Sequence, residues 1–253
     1  MSDELPALPW ERARRRPSPA RIPLTRDRIV DAAYAVLDRE GYERLSMRQV
    51  AAELGVAVSA LYAHVTGKND LLELMYARLF TGWDLPTPDP ERWREQVRDY
   101  ARTGRARLLE HRDMARLSMG ETPFGPETLP HLEQLLGLFR AAGLPDRLAG
   151  VAGDVISTFI DGFALEESMW EARRQEAGER SWADMRETLH LYFRDLPPER
   201  FPNLTSLGDL MLVSTNDERF DLGIEIIIRG LASFAEEAAR DADPSPSAGP
   251  GRD

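Results

Sequence analysis

Apolar residues recur at three- and four-residue intervals along almost the whole chain, the rhythm of helices that bury one face. Ile29, Ala32, Ala33, Val36 and Leu37 mark such a face and predict a helix from about Thr25 to Glu40, stopped by Gly41. The same pattern predicts further helices near 68–81, 90–110, 127–142, 146–177, 181–194 and 218–240. Breaks fall at Pro86-Thr87-Pro88, Thr122-Pro123, Gly143-Leu144-Pro145 and Pro197-Pro198. One stretch reads two ways. Leu222 to Ile228 is β-branched enough for a buried strand, but strong helix formers follow it from Ala232 to Arg240 and no second strand is available to pair with it. A helix is therefore expected, apolar nearly all round and covered on more than one side. The fold class that follows is all-α.

Between residues 46 and 65 the pattern tightens. Ser46-Met47-Arg48-Gln49 has the form of a capping box, in which the Ser hydroxyl and the Gln side chain satisfy each other's free backbone amides. It opens a short helix, Met47 to Leu54, ended by Gly55; Val56 leads into a second, about Val58 to Val65. Val50, Leu54, Val56, Leu61 and Val65 are spaced to share one small core, and Ala51 is small where two helices cross steeply. Two short helices joined by a glycine turn form a helix-turn-helix, whose second helix enters the DNA major groove. Any tight helical hairpin needs a glycine and a small residue, so spacing alone leaves a purely structural hairpin open.

Charge changes that balance. The net charge of −11 seems to argue against nucleic acid, but residues 1–80 hold 12 Lys plus Arg against 11 Asp plus Glu, so the acidity lies in the rest of the chain. Trp10 to Arg26 alone carries six arginines against Glu11. A basic arm, a neutral middle and an acidic body fit a small DNA-facing module on a body that DNA repels; a mere disordered tail explains the arm as well. Residues 1–24 are expected to be a flexible, proline-interrupted arm, and 241–253, rich in Pro, Ser, Gly and Asp, a disordered tail. No apolar run approaches the ~18 residues of a membrane span, and no apolar segment follows the N-terminal arginines as in a signal peptide. No membrane association is expected. Cysteine is absent, which suits a cytoplasmic protein. With no histidine pair at i, i+4 spacing either, neither a metal site nor a cofactor is expected.

Arg28-Ile29-Val30-Asp31-Ala32-Ala33, Gly41 to Arg48, Ala51-Ala52-Glu53-Leu54-Gly55-Val56, Leu61-Tyr62-Ala63-His64-Val65 and Lys68-Asn69-Asp70-Leu71-Leu72 closely resemble, in order and spacing, the TetR family of bacterial regulators. The layout from about residue 83 onward is similar to the tetracycline-repressor-type C-terminal domain. The resemblance implies a three-helix DNA-binding domain over 25–80 and a larger effector-binding and dimerisation domain over 83–240. It also implies a homodimer, a double-stranded operator and release of DNA when a small molecule binds. Carried over residue by residue, it places Arg48 near a base or phosphate, Val58, Ser59, Ala60, Tyr62 and His64 on the recognition helix, and Tyr62, His64, Lys68 and Thr25 on phosphates. Tyr62 also reads as a packing residue and His64 as a local cap. Ala57, Ala60 and Ala63 stand where many members carry polar or bulky groups. Side-chain reading of bases rests mainly on Ser59, with Val58 and Ala60 suited to thymine methyls.

In the body, Trp93, Tyr100, His111, Met114, Phe139, Phe159, Phe163, Glu166 and Trp170 are candidates to line a cavity for a small apolar or amphipathic effector; most of them also read simply as core. His111, His131 and His190 are expected to be exposed or satisfied within the core. Ile224, Ile227, Leu231 and Phe234, widened by Ile226 and Ile228, are expected to give the last helix one side for the body's core and another for a partner, the last helix and the 146–177 helix of two copies forming a two-fold four-helix bundle that suits a palindromic operator. An enzyme is the competing class, but no Gly-x-Ser-x-Gly, His-Glu-x-x-His or phosphate-loop motif is present. A helical adaptor that binds only proteins leaves the capping box, glycine turn and basic arm without a use.

Overall fold

The computed structural model describes residues 23–213 and 215–242; the arm, most of the tail, and what was expected of them lie outside this range. All regular structure among the described residues is helical. The head comprises α1 (Arg26–Glu40), a 3-10 turn (Tyr42–Arg44), α2 (Met47–Leu54), α3 (Val58–Leu61) and α4 (Lys68–Arg78). The body comprises α5 (Trp93–Leu109), α6 (Met114–Ser118), α7 (Leu129–Ala141), α8 (Asp146–Ala177), α9 (Glu179–Arg194), α10 (Pro202–Val213) and α11 (Asn216–Ala242).

The ambiguous stretch 222–228 lies inside α11, so the helical expectation holds. Two helices go beyond those the apolar pattern predicts. α6 is only five residues long, below the length at which periodicity is visible. α10 follows Pro197-Pro198 so closely that the prolines mask it, although Leu204, Leu207 and Leu210 do keep helical spacing. α3 is also shorter than expected. It ends at Leu61, where a tightened turn, with the N–H groups of His64 and Val65 both donating to the Leu61 carbonyl, drives Val65 back into the core.

The head closes over Ile29, Ala33, Val36, Leu37, Val50, Ala51, Leu61, Val65, Leu71 and Met75, all essentially inaccessible to water. Tyr34 is buried there, its hydroxyl donating to the Met75 carbonyl at 2.7 Å, and Arg78 reaches from α4 to Asp27 and Asp31 of α1. In the body, α8 is the central helix, packed against α5, α6, α7, α9 and α11. One 18-residue window of it reaches a mean hydropathy of 1.5, apolar enough by length and composition to cross a membrane, a measure that the core helix of a soluble protein also meets. Asp154 and Asp161 interrupt the stretch, so no uninterrupted apolar run of that length occurs there. Three arginines of α5 fix α11 antiparallel to it: Arg98 pairs with Glu225, Arg102 with Asp221, and Arg105 with Asp217. Arg105 also holds Glu167 of α8 and stacks over Phe163 and Phe220, so three helices meet on one guanidinium.

The apolar belt of α11 divides between core and surface. Ile224 and Ile228 face the body's core, and Ile227 and Leu231 pack against it. Leu222, Ile226 and Phe234 are exposed, as are Val151 and Val155 of α8. A 3.6-residue repeat carries Ile224 and Ile228 to one side and Leu222 and Ile226 to the other, whichever face the isoleucine count favours.

Candidate DNA-contacting face and effector site

The helix-turn-helix is built by local rules. Thr25 caps α1 through its hydroxyl, which accepts from the Arg28 N–H. Ser46 caps α2 by accepting from the Gln49 N–H at 3.4 Å, while its hydroxyl donates to the Gln49 side chain. The box therefore closes side chain to side chain rather than through the Ser46 amide. Gly55 takes the left-handed conformation (φ 65°, ψ 33°) that lets its amide and that of Val56 return to α2 carbonyls and turns the chain into α3. No side chain caps α4; Asp70 instead accepts from the Thr66 N–H and hydroxyl, which straightens the entry to it.

These constraints leave Thr25, Arg48, Ser59 and Tyr62 exposed and Val58, Ala60, His64 and Lys68 half-buried. Tyr62 and His64 lie on the turn after α3 rather than on the helix itself. Tyr62 is 55% exposed, so packing is not its role within one chain. The His64 carbonyl accepts from Arg26 Nε at 2.9 Å, tying this turn to the start of α1. Lys68 holds its ammonium 5.4 Å from the centre of the Tyr42 ring and pairs with no carboxylate among the described residues. Arg48 likewise has no partner among the described residues.

Head and body meet through a polar clasp. Asp38 at the end of α1 accepts from the Arg112 N–H and pairs with His111 Nδ1, each at 2.9 Å, and the His111 ring lies against Tyr34. Asp113 accepts from the Tyr42 N–H at 2.9 Å, and Arg116 pairs with Glu43. Gly41 sits under this contact at φ 82°, and a Cβ there would come 2.9 Å from the Asp113 carboxylate.

The nine effector candidates are not brought together. His111, Glu166 and Trp170 line an open cavity of about 1390 Å³ bounded also by Asp38, Met185 and Arg219. Phe159, Phe163 and Glu166 border a shallower one of about 530 Å³ beside Leu222 and Ile226. Trp93, Tyr100, Met114 and Phe139 are buried in the core and border neither. His131 is buried, as one branch of its expectation has it, against the rings of Phe80, Trp83 and Tyr100, where its ring has at best a loose hydrogen bond to the Trp83 backbone. Burial pushes its pKa down to about 4, the nearby Trp83 backbone opposing and Arg107 adding to the effect. Burial also pushes Asp161 up to about 6, against a hydrogen bond from Ser118.

Residues 29–75 match the family model of bacterial regulatory proteins of the tetR family, and residues 85–234 match the tetracyclin repressor-like C-terminal domain. The chain belongs to the TetR family. An HTH-type transcriptional regulator of Saccharopolyspora erythraea is 31% identical over 92% of this chain and 95% of its own length. The HTH-type transcriptional repressor DrrR1 of Streptomyces coeruleorubidus is 30% identical, over 88% and 83%. Among solved structures, ActR of Streptomyces coelicolor in complex with actinorhodin is 41% identical, covering 85% of this chain and 99% of that one, with a TM-score of 0.75. This TetR protein is therefore a DNA-binding transcriptional regulator of the ligand-responsive repressor type, in a family of regulators rather than enzymes. Members dimerise, bind operator DNA and bind small-molecule effectors. In this member the residues that the sequence pattern does not single out are Asp38 and Asp113, the carboxylates of the clasp. An aspartate at a helix end looks the same in sequence whether it meets water or a distant loop.

Proposed function

We propose that this regulator represses by seating α3 of each subunit in successive major grooves of a palindromic operator, and that an effector bound in the body releases it. The observation that carries the reading is the pair of uncommitted cations flanking the motif, Arg48 on α2 and Lys68 at the uncapped start of α4. An uncapped helix start presents free amides and a positive dipole end to a phosphate, and a cation beside it strengthens that attraction. Lys68 and Tyr62 then hold the backbone, Thr25 does so at the start of α1, and His64 orders the turn. Ser59, Val58 and Ala60 face base edges, a thin set for direct readout. Domain limits follow the same division: a DNA-binding head over 25–80 and a dimerising, effector-binding body over 83–240.

The dimer seam is the exposed strip of Val151 and Val155 with Leu222, Ile226 and Phe234. Pairing α8 and α11 with their copies makes a four-helix bundle, and two-fold symmetry sets the two heads ~34–36 Å apart, one turn of DNA. The effector is a small apolar or amphipathic molecule, as the aromatic body suggests, and the clasp at Asp38 and His111 passes its binding to the head.

Mobility shift on the DNA flanking the gene tests the reading, with Lys68→Ala and Arg48→Ala as probes. Each variant weakens binding, and Lys68→Ala lowers the log–log salt slope by about 1, one phosphate's worth. A folded Lys68→Ala protein with wild-type affinity and slope would falsify the backbone role.

A further inference from the structure

We propose that Tyr42 is the positioning residue of the Lys68 phosphate contact: its ring orders the ammonium at the start of α4 without neutralising it. The inference rests on the reading of Lys68 as a phosphate contact and adds the residue that holds it in place.

A lysine side chain makes a poor contact until its stem is ordered, because four rotatable bonds scatter the charge and fixing them costs entropy. Ordering by a carboxylate would defeat the purpose, since that ion pair must break before DNA is bound. An aromatic face acts differently. It attracts the cation through its quadrupole yet carries no net charge, so ammonium N–H groups directed away from the ring stay available to an anion. Lys68 Nζ lies 5.4 Å from the centre of the Tyr42 ring, inside the ~6 Å reach of that attraction. The carboxylates beside the two residues in sequence are occupied elsewhere. Asp70 accepts from the Thr66 N–H at 2.6 Å and from its hydroxyl at 3.1 Å. Glu43, next to Tyr42, pairs with Arg116.

A ring can order a cation only if it is ordered itself. Tyr42 opens the 3-10 turn, half-buried, and its N–H donates to Asp113 Oδ2 at 2.9 Å. The Arg116 guanidinium lies 5.3 Å from the same ring centre. Asp113 immediately precedes α6 and Arg116 lies on it. Asp113 is also the one non-glycine residue among those described with a left-handed backbone, at φ 56°, a conformation that persists where surrounding contacts hold it. The platform for Lys68 is therefore pinned by residues of the body.

Tyr42 also packs against the core, and operator retardation in a double-mutant cycle separates ordering from packing. Tyr42→Leu keeps an apolar side chain but offers no aromatic face. It should weaken operator binding about two- to fivefold, the span of a cation–ring contact at a partly exposed site. The log–log salt slope should stay at its wild-type value, because Lys68 still reaches the phosphate once bound. Tyr42→Phe, which keeps the face, should bind nearly as wild type. In the Lys68→Ala background Tyr42→Leu should cost nothing further. An equal loss in both backgrounds is the mark of packing and overturns the proposal, as does a Tyr42→Phe protein no better than Tyr42→Leu.

A second readout needs neither DNA nor a folded variant. Lys68 is the only lysine of the chain, so reductive methylation with isotope-labelled formaldehyde gives one lysine signal in magnetic resonance, assigned by its loss in Lys68→Arg. In the folded wild type its methyl protons should lie upfield of their position in the unfolded chain, through the ring current of Tyr42, and Tyr42→Leu should abolish the shift. Methyl signals at the unfolded position in folded wild type overturn the proposal. Should Lys68→Ala bind the operator with wild-type affinity and slope, the phosphate reading itself fails, and the ring has no contact to position; a null cycle with a weakened Lys68→Ala sinks only the role of Tyr42.

Discussion

Head and body are built from the same material, short amphipathic helices joined by proline and glycine breaks, yet they solve burial differently. The head satisfies itself. Its apolar faces close on one another, the starts of α1 and α2 are capped by Thr25 and Ser46, and among its described residues Tyr62 is the one large apolar side chain left exposed. The body does not. It leaves Leu222, Ile226 and Phe234 exposed on α11, and Val151 and Val155 on α8. A module that meets a polyanion can be complete before it binds. A module that must dimerise keeps apolar surface for its partner.

The largest effect expected from this contrast is at the seam. Ile226→Glu puts a carboxylate on an exposed position of one chain, where water can solvate it, but in the dimer it would be buried unpaired at a cost of several kcal/mol. Sedimentation should show monomers at micromolar concentration with helical content retained, and operator binding should be lost. A charge at the core-facing Ile228 should instead unfold the body. Were Ile226→Glu to remain a wild-type dimer, the seam would lie elsewhere and the body would be as self-contained as the head.

A smaller effect belongs to the joint between the two regions. Gly41→Ala strains a positive φ and drives a Cβ against Asp113, which should cost about 1–3 kcal/mol. The loss should appear in thermal melting, and because the clasp at Asp38, His111 and Asp113 is disturbed, effector binding should release DNA less completely. A melting temperature and release curve equal to wild type would mean that head and body move independently of this contact.

The smallest effects are those of pH within the body. His131 has a folded pKa of about 4 against an ordinary 6.5, so the unfolded chain takes up its proton first and stability is lost as pH falls from 6.5 toward 4. Asp161 works the other way. Its folded pKa of about 6 lies above the ordinary 3.8, so its contribution is present at low pH and lost as pH rises through 6. Melts at pH 7 and pH 5 separate the two. His131→Phe should raise the melting temperature more at pH 5, and Asp161→Asn more at pH 7. If His131→Phe acts equally at both, its imidazole is not held neutral by burial.

Much of this architecture is legible in the amino-acid chain alone. The apolar rhythm of 29–37, the Ser46 cap, the Gly55 turn and the Leu-Tyr-x-His element lie within a few residues of what they act on, so sequence distance and spatial distance agree. The 32 residues of α8 are bounded by the sequence pattern for the same reason, with Pro145 before them and Gly178 after. α6 and α10 escape it because one is too short to show a period and the other begins among prolines. Which isoleucines of α11 face the core is beyond the pattern, since a belt apolar all round carries no internal mark of its inner side. The register of Arg98, Arg102 and Arg105 against Glu225, Asp221 and Asp217, more than a hundred positions away, settles it. The same holds for His111, which is a clasp on Asp38, and for His131, whose partners are rings from α4's exit, α5 and the connection between them. Local sequence determined the helices, their caps and the DNA-facing motif, because hydrogen bonds within a few residues enforce them. Only the tertiary structure decided which side of each body helix is covered and which carboxylates clasp the head to the body, because both depend on neighbours that the chain supplies from far away.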